Sequence, residues 1–358
     1  MADKIGPQKI KKRKSVKILV LMGGDSPERD VSLVSGQAIM EGLKKSGHQV
    51  LALDTADSWK ALPVSQKSVI QEIGTQPPDV KELSRIDTAR ALRSFDAKDL
   101  KDVEVIFIAL HGGKGEDGTI QAVLDLTGKA YTGSGVLASA LGMNKHISKK
   151  LFQQSGILTP RWIYKDSANR TNRVELQSEI EKLGFPLVVK PNNQGSTVGL
   201  SVIDHLSQLD EAIGIAEQFS SQILFEEFIP GREITVAVLD DEPLPVVEIV
   251  PEHGIYDYEC KYTTGKSKYI CPAELTPEQT EEVQQAGLKA FQALGCEGYA
   301  RVDFRMNPDG TFYCLEVNTL PGMTEHSLVP KAAQAAGISF SQLTDRIVQL
   351  ARKRQKQN

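Results

Sequence analysis

The sequence contains no apolar run long enough to cross a membrane. Its longest runs, such as Val103–Leu110 with the single acid Glu104, have the length of buried strands. The basic run Lys9–Lys14 is not followed by a signal-peptide core, because Lys17–Met22 is short and ends in Gly23-Gly24. Residues 1–15 therefore read as a solvated, disordered basic tail. Cysteine is scarce: Cys260, Cys271, Cys296 and Cys314 stand singly without a CxxC pair, and the six histidines are scattered. This argues against a disulfide framework and against a zinc site, and it fits reduced thiols in the cytoplasm. There is no excess of basic charge either. A net charge of −4 opposes a general nucleic-acid binder. A Walker A loop is missing, and so is a GxGxxG opening a helix in a βαβ unit, which removes the case for a dinucleotide-dependent dehydrogenase. Internal repeats and low-complexity tracts are also absent.

What remains is an ordinary globular composition, 40% hydrophobic and 25% charged over 358 residues, enough for two or three domains. The first segment, 16–143, has a βα rhythm. Val16–Met22 is an apolar strand, Val31–Ser46 has helical spacing closed by Gly47, and Gln49–Leu53 is a second strand. Val103–Leu110 reads as a third, of the fully buried kind found in parallel sheets. Between them, residues 55–101 carry Pro63, Pro77 and Pro78 and no clear period, and read as a variable excursion. A second block, 144–230, alternates short strands (Leu187–Lys190, Ile223–Glu227) with helices (one from Asn144 to Gly156, another over Leu206–Phe219), which predicts an α+β unit with a mostly antiparallel sheet. The third, 231–358, is richer in strands. Pro308-Asp309-Gly310 joins Tyr299–Met306 to Thr311–Val317 as a hairpin, and helices Pro277–Leu294 and Phe340–Lys353 are expected to pack around it.

The hairpin carries the strongest chemical signal. Side chains two apart on a strand share a face, so Arg301 and Asp303 on one strand are placed to meet Glu316 and Asn318 on the other. Two carboxylates and an amide repel at one spot unless a cation neutralises them, and oxygen-only donors suit Mg²⁺. Leu315 and Val317 mark the alternate face as core. A second signal is Lys190-Pro-Asn-Asn-Gln-Gly195-Ser196-Thr197-Val198-Gly199, a lysine before a small polar loop whose N–H groups can reach phosphate oxygens. A plain β-turn explains the loop equally well by itself. The third is Glu226-Glu227-Phe228-Ile229-Pro230-Gly231-Arg232-Glu233, which fits a hinge contacting adenine and ribose, or an exposed acidic turn.

Taken together with Lys145, these segments occur in the order found in ATP-grasp enzymes. The chain specifically resembles the D-alanine–D-alanine ligase family through Gly23-Gly24-Asp-Ser-Pro-Glu28-Arg29-Asp30-Val-Ser32, Ala109-Leu-His111-Gly112, Gly115-Glu116-Asp117-Gly118, Tyr131-Thr-Gly133-Ser134-Gly135, Tyr256-Asp-Tyr-Glu-Cys-Lys261-Tyr262 and Asn318-Thr-Leu-Pro321-Gly322-Met323-Thr-Glu-His326-Ser327-Leu328. The resemblance runs from about Val16 to Leu350, outside residues 55–101. It implies a Rossmann-like parallel-sheet domain followed by a two-domain ATP-grasp fold, ATP as substrate, and two Mg²⁺ (or Mn²⁺) on Asp303, Glu316 and Asn318. It further implies two molecules of D-alanine joined through an acyl phosphate for peptidoglycan precursor synthesis, and a homodimer.

By the same resemblance, Lys145 and Lys190 hold the α- and β-phosphates and Lys261 the γ-phosphate, while Glu226, Glu227, Ile229 and Glu233 position adenosine. Glu28 binds the first ammonium in a network with Ser196 and Tyr262. Arg301 and the Gly322 N–H stabilise the oxyanion, and Ser327 with the Leu328 backbone binds the second carboxylate. His111 lies near the amino-acid site in the family, although its residue type fits a satisfied core histidine as well. Residues 254–271, rich in tyrosine and lysine, read as a mobile lid over ATP. Tyr262 favours an amine acceptor over D-lactate, the alternative being the same fold with D-lactate or D-serine as second substrate. The departures are small, at Val317 and Leu320, and Cys260 beside Lys261 is a reactive thiol or an inert loop residue.

Overall fold

The computed structural model describes residues 15–56, 61–62, 101–166, 172–252 and 266–356. Its first sheet follows from three apolar runs. Lys17–Met22 (β1), Gln49–Asp54 (β2) and Val105–Ile108 (β4) lie parallel with β1 in the middle. Ala130–Tyr131 (β5) extends the sheet at one edge and Ala61–Leu62 (β3) lies antiparallel at the other. The expected excursion thus contributes a two-residue edge strand. Helix α1 (Arg29–Lys45) crosses from β1 to β2 with Ile39, Met40 and Leu43 buried beneath it. Asp30 in its first turn and Lys44 and Lys45 in its last complement the helix dipole. Its N-cap is Glu28, whose side chain makes no capping bond because it is engaged elsewhere. Three short helices follow in this part of the chain, α2 (Gly113–Glu116), α3 (Thr119–Thr127) and α4 (Val136–Met143).

Helix α5 (Lys145–Gln154), capped by Asn144, whose Oδ1 accepts the Ile147 N–H at 3.1 Å, packs Phe152 into the core of the third sheet and leads into the second unit. That unit's sheet is wholly antiparallel in the order Trp162–Asp166 (β6), Gln222–Glu227 (β9), Leu187–Pro191 (β7) and Ser201–Ile203 (β8). Two helices cover one side: α6 (Arg173–Leu183), which the sequence reading passed over, and α7 (Leu209–Glu217), shorter than expected because Leu206–Gln208 forms a separate 3₁₀ turn.

The third sheet contains Arg232–Leu239 (β10), Val247–Pro251 (β12), Ser267–Ile270 (β13), Tyr299–Met306 (β14) and Phe312–Asn318 (β15), with Glu242–Pro243 (β11) on β10. β13 pairs with β12, so the last part of the expected lid is a strand. Helix α8 (Pro277–Ala293) begins with a reciprocal Thr276/Gln279 capping box and lays Val283, Ala290 and Phe291 on this sheet. The hairpin turn forms as expected, with Gly310 N–H donating to Asn307 O at 3.0 Å.

The placement of α10 (Phe340–Gln355) corrects the sequence reading. It packs on α1 rather than around the hairpin: Leu343, Ile347 and Val348 share one core with Ile39 and Leu43. His48 Nε2 meets Asp345 Oδ1 at 3.0 Å, and Arg354 donates to Gly133 O and Tyr131 O. Leu239, Val247 and Ile249 of the third sheet join the same core, together with α9 (Leu328–Ala335), and this fixes the first and third sheets relative to each other. No helix among the described residues is long and apolar enough to cross a membrane.

Candidate active site

The second and third units meet at a cleft of about 980 Å³, open to solvent, whose wall includes Lys145, Lys190, Glu226, Ile229, Asp303 and Glu316. Its floor is the β14/β15 hairpin. The register sets Arg301 opposite Asn318 and Asp303 opposite Glu316, with buried Val302 and Val317 paired on the other face. The carboxylates therefore project side by side into the cleft, and cations answer them. Arg301 grips Asp303 with two hydrogen bonds of 2.8 Å each, Thr235 Oγ1 donates to Asp303 Oδ1 at 2.7 Å, and Lys145 Nζ stands 3.0 Å from Glu316 Oε2. Asn318 Oδ1 accepts the Leu320 N–H at 3.1 Å. Among the described residues no group of three or more His, Cys, Asp or Glu side chains gathers as a metal site. The donors at this spot are two carboxylates and one amide.

The opposite wall comes from the antiparallel sheet. Lys190, at the end of β7, reaches Glu226 Oε1 at 2.6 Å, and Lys149 reaches Glu226 Oε2 at 2.8 Å. Burial raises the Glu226 carboxyl pKa, but the two lysines outweigh it and hold the group below its ordinary range. Glu226 was expected to position adenosine, yet its carboxylate faces the lysines. The Glu227 carboxylate is bound by Arg161, with Nε donating at 2.9 Å. Ile229 is buried in the wall and its carbonyl accepts from Arg305 Nε at 3.1 Å, while Glu233 lies 3.6 Å from Arg305 Nη1. Lys145 Nζ also donates to Gln194 O at 2.7 Å, tying α5 to the 191–200 loop. That loop contains a tight β-turn of the left-handed kind: Val198 N–H donates to Gly195 O at 3.1 Å, and the central residues Ser196 and Thr197 both hold positive φ, 48° and 63°. Left-handed backbone at two successive non-glycine residues costs roughly 1–3 kcal/mol each.

The strain presents Ser196, whose hydroxyl donates to Glu28 Oε1. The Glu28 carboxylate is wedged between two backbone loops. A Cβ at Gly112 would stand 2.6 Å from Glu28 Oε2 and one at Gly195 2.9 Å, so a side chain at either position would displace this carboxylate, and Gly112 also holds a positive φ of 64°. Beside it, His111 is fully enclosed. Its Nδ1 lies 2.8 Å from Leu320 O and its Nε2 3.1 Å from Ser35 Oγ, and burial lowers its pKa, keeping it neutral. Met323 N–H donates to the same Ser35 hydroxyl at 3.3 Å, so His111 and Ser35 together hold the turn containing Gly322. Ser327 caps α9 by position, its Oγ accepting from the Thr324 N–H at 3.0 Å. Leu328 begins that helix, where backbone N–H groups lack helical acceptors. Lys261 and Tyr262, with the lid tip, lie outside the described residues.

Two groups escaped the sequence reading. Lys149 follows Lys145 by four residues, a spacing that puts both on one helix face, but nothing in the composition marks it as buried. Glu116 is the other. Its Oε2 accepts the Gly112 N–H at 3.1 Å and its Oε1 the Leu320 N–H at 3.4 Å. Burial, reinforced by Glu28, raises its pKa to about 7. A raised folded-state value means the folded chain holds the extra proton more tightly. The resulting stability is full below the unfolded value near 4.5 and is lost as pH rises through about 7. Thermal unfolding from pH 4.5 to 8 should therefore show Glu116→Gln gaining on the parent chain by up to about 3 kcal/mol as pH rises. A flat difference would refute the assignment.

With this geometry in place, the chain was compared with known proteins. Residues 17–134 match the family described as D-ala D-ala ligase N-terminus, and residues 151–349 match D-ala D-ala ligase C-terminus. The chain belongs to the D-alanine–D-alanine ligase family. Among solved structures, a D-alanine–D-alanine ligase from Bacillus anthracis complexed with ATP is 33% identical. The match covers 96% of this chain and 99% of that one, with a TM-score of 0.75. A second structure of a D-alanine–D-alanine ligase from that organism is 35% identical with the same coverage and TM-score. The VanG D-Ala:D-Ser ligase of Enterococcus faecalis is 31% identical, covering 94% of this chain and 100% of that one, with a TM-score of 0.76. Members of the D-alanine–D-alanine ligase family are ATP-dependent, ADP-forming ligases that serve peptidoglycan synthesis, and the cleft between the second and third units has the charge such a reaction demands.

Proposed function

We propose that this chain joins two molecules of D-alanine at the cleft, with the residue roles that follow. The observation that carries the proposal is the meeting of Glu28 with Ser196, which lines the same cleft as Lys145, Lys190, Asp303 and Glu316. A carboxylate does not react with an amine in water. Here the first D-alanine is held by its ammonium on Glu28, and its carboxylate oxygen attacks the γ-phosphorus while the bond to ADP breaks. The second amine, after losing a proton, attacks the acyl carbon of this acyl phosphate, and inorganic phosphate leaves. Arg301 and the Gly322 N–H face the oxygen that becomes negative at that step. Ser327 and the first N–H groups of α9, including that of Leu328, take the second carboxylate, where the helix dipole favours an anion.

The all-oxygen donors Asp303, Glu316 and Asn318 fit Mg²⁺ or Mn²⁺, because the cationic Arg301 and Lys145 stand against the two carboxylates where divalent charge would compensate them. Two such ions, when bound, neutralise the phosphates during transfer. Lys145 and Lys190 serve the α- and β-phosphates, Lys261 the γ-phosphate, and Ile229, Glu227 and Glu233 the adenosine, with Glu226 acting through Lys190. Tyr262, His111, the lid read over 254–271, a homodimer and a cytoplasmic location belong to the same reading through the resemblance. In a phosphate-release assay with ATP and Mg²⁺, D-alanine should stimulate turnover at least about tenfold over L-alanine, D-lactate or D-serine. No stimulation by D-alanine would remove the named reaction, and a preference for D-serine would move the chain to the acceptor class of its VanG relative.

A further inference from the structure

We propose that Lys149 is a positioning residue for the nucleotide: it shares the Glu226 carboxylate with Lys190, and so leaves the phosphate side of the cleft with a net positive charge. The inference rests on the assignment of that cleft to ATP. Lys149 does not line the cleft. It sits behind it, fully buried on α5, and comes forward only through Glu226. Its Nζ lies 2.6 Å from Thr159 Oγ1, 3.1 Å from Pro160 O and 2.8 Å from Glu226 Oε2. The first two contacts are hydrogen bonds and the third is an ion pair. The Trp162 ring, with its centroid 5.2 Å away, adds an attraction felt by the cation alone. Burial lowers the lysine's pKa and Glu226 offsets only part of that lowering, so the charge on Lys149 depends on this carboxylate.

The charges decide the function. Two ammonium groups flank one carboxylate, giving a net charge of plus one, and Lys190 is the member exposed to the cleft. Without Lys149, Lys190 and Glu226 would form a closed neutral pair, and an incoming phosphate would meet no net charge from this wall. A lysine kept in the core merely as a polar plug between α5 and β6 would affect every ligand of the cleft alike. One acting through charge affects the phosphates and spares the nucleoside.

The test compares the purified full chain with its Lys149→Met, Glu226→Gln and doubly substituted forms. Affinity for ADP with Mg²⁺ is read by calorimetry, and affinity for adenosine by competition against ATP. The ratio of the two affinities should follow the net charge of the trio. It should be lowest in Lys149→Met, equal in the parent and the double variant, and highest in Glu226→Gln, with steps of about tenfold per unit charge. Should Lys149→Met not fold, the double variant against Glu226→Gln alone gives the same step. Equal losses for ADP and adenosine, or a ratio that ignores the charge, would overturn the proposal. Failure of the parent chain to bind ADP would instead overturn the nucleotide assignment beneath it.

Discussion

Glu316→Gln is expected to lower kcat by about 10³-fold or more, while the melting temperature stays within a few degrees of the parent value. Glu316 stands at the end of β15 directly opposite Asp303, partly open to the cleft, with its Oε2 beside Lys145. Glutamine keeps the shape and one oxygen but removes the charge. Metal stabilisation of a transferring phosphoryl group is worth several kcal/mol, and each 1.36 kcal/mol is tenfold in rate. The fold should not notice, because the alternate face of the strand carries the packing through Val317 and Cys314, and Lys145 keeps its bond to Gln194 O. Phosphate release gives kcat, a thermal melt gives stability, and titration with Mg²⁺ shows whether the metal requirement has weakened. Unchanged turnover in a folded variant would refute the cation assignment at the hairpin.

The second large effect is expected from Arg301→Met, a fall in kcat of about 10²–10³-fold with a smaller change in KM for ATP. Its guanidinium grips Asp303 with two hydrogen bonds, so it is fixed on the cleft face of β14 before substrate arrives. A donor placed in advance at a developing oxyanion contributes roughly 3–4 kcal/mol, and it does so at the transition state, hence the weight on kcat. Lysine at this position should rescue poorly, because it cannot reproduce the two-pronged bond to Asp303. If Arg301→Met instead raised KM for ATP and left kcat alone, the residue would belong to nucleotide binding.

What could be read from the sequence, and what could not, divides along physical lines. The hairpin was legible only in part: a strand period of two groups Arg301 with Asp303 and Glu316 with Asn318, but counted from the Pro-Asp-Gly turn Asp303 would face Leu315, and a β-bulge between Asp303 and Phe304 brings it opposite Glu316. The antiparallel character of the second sheet followed from short strands around amphipathic helices. Lys149 was not legible. A lysine at helical spacing reads as solvated, and only the tertiary meeting with Thr159, Pro160 and Glu226 makes it a core residue. The paired left-handed conformation of Ser196 and Thr197 was equally hidden, since neither residue type favours it and the surrounding contacts impose it. Glu28 shows a local rule yielding to the site. A helix start of this kind would ordinarily be capped by its own side chain, but the carboxylate is turned away to Ser196. The placement of α10 was misread for a further reason. Its apolar stripe is the same whichever sheet it covers, and sequence proximity pointed to the wrong one.

That helix has a consequence for how the chain reaches its native state. The layer that seals α1 is supplied by residues almost three hundred positions downstream, as the 297-residue separation of His48 and Asp345 records. A nascent chain therefore carries an unfinished first domain, with Ile39 and Leu43 lacking partners, until Leu343 and Ile347 have left the ribosome. Loop closure over such a distance makes docking of the last helix a late event, and chaperone protection matters most in the interval before it.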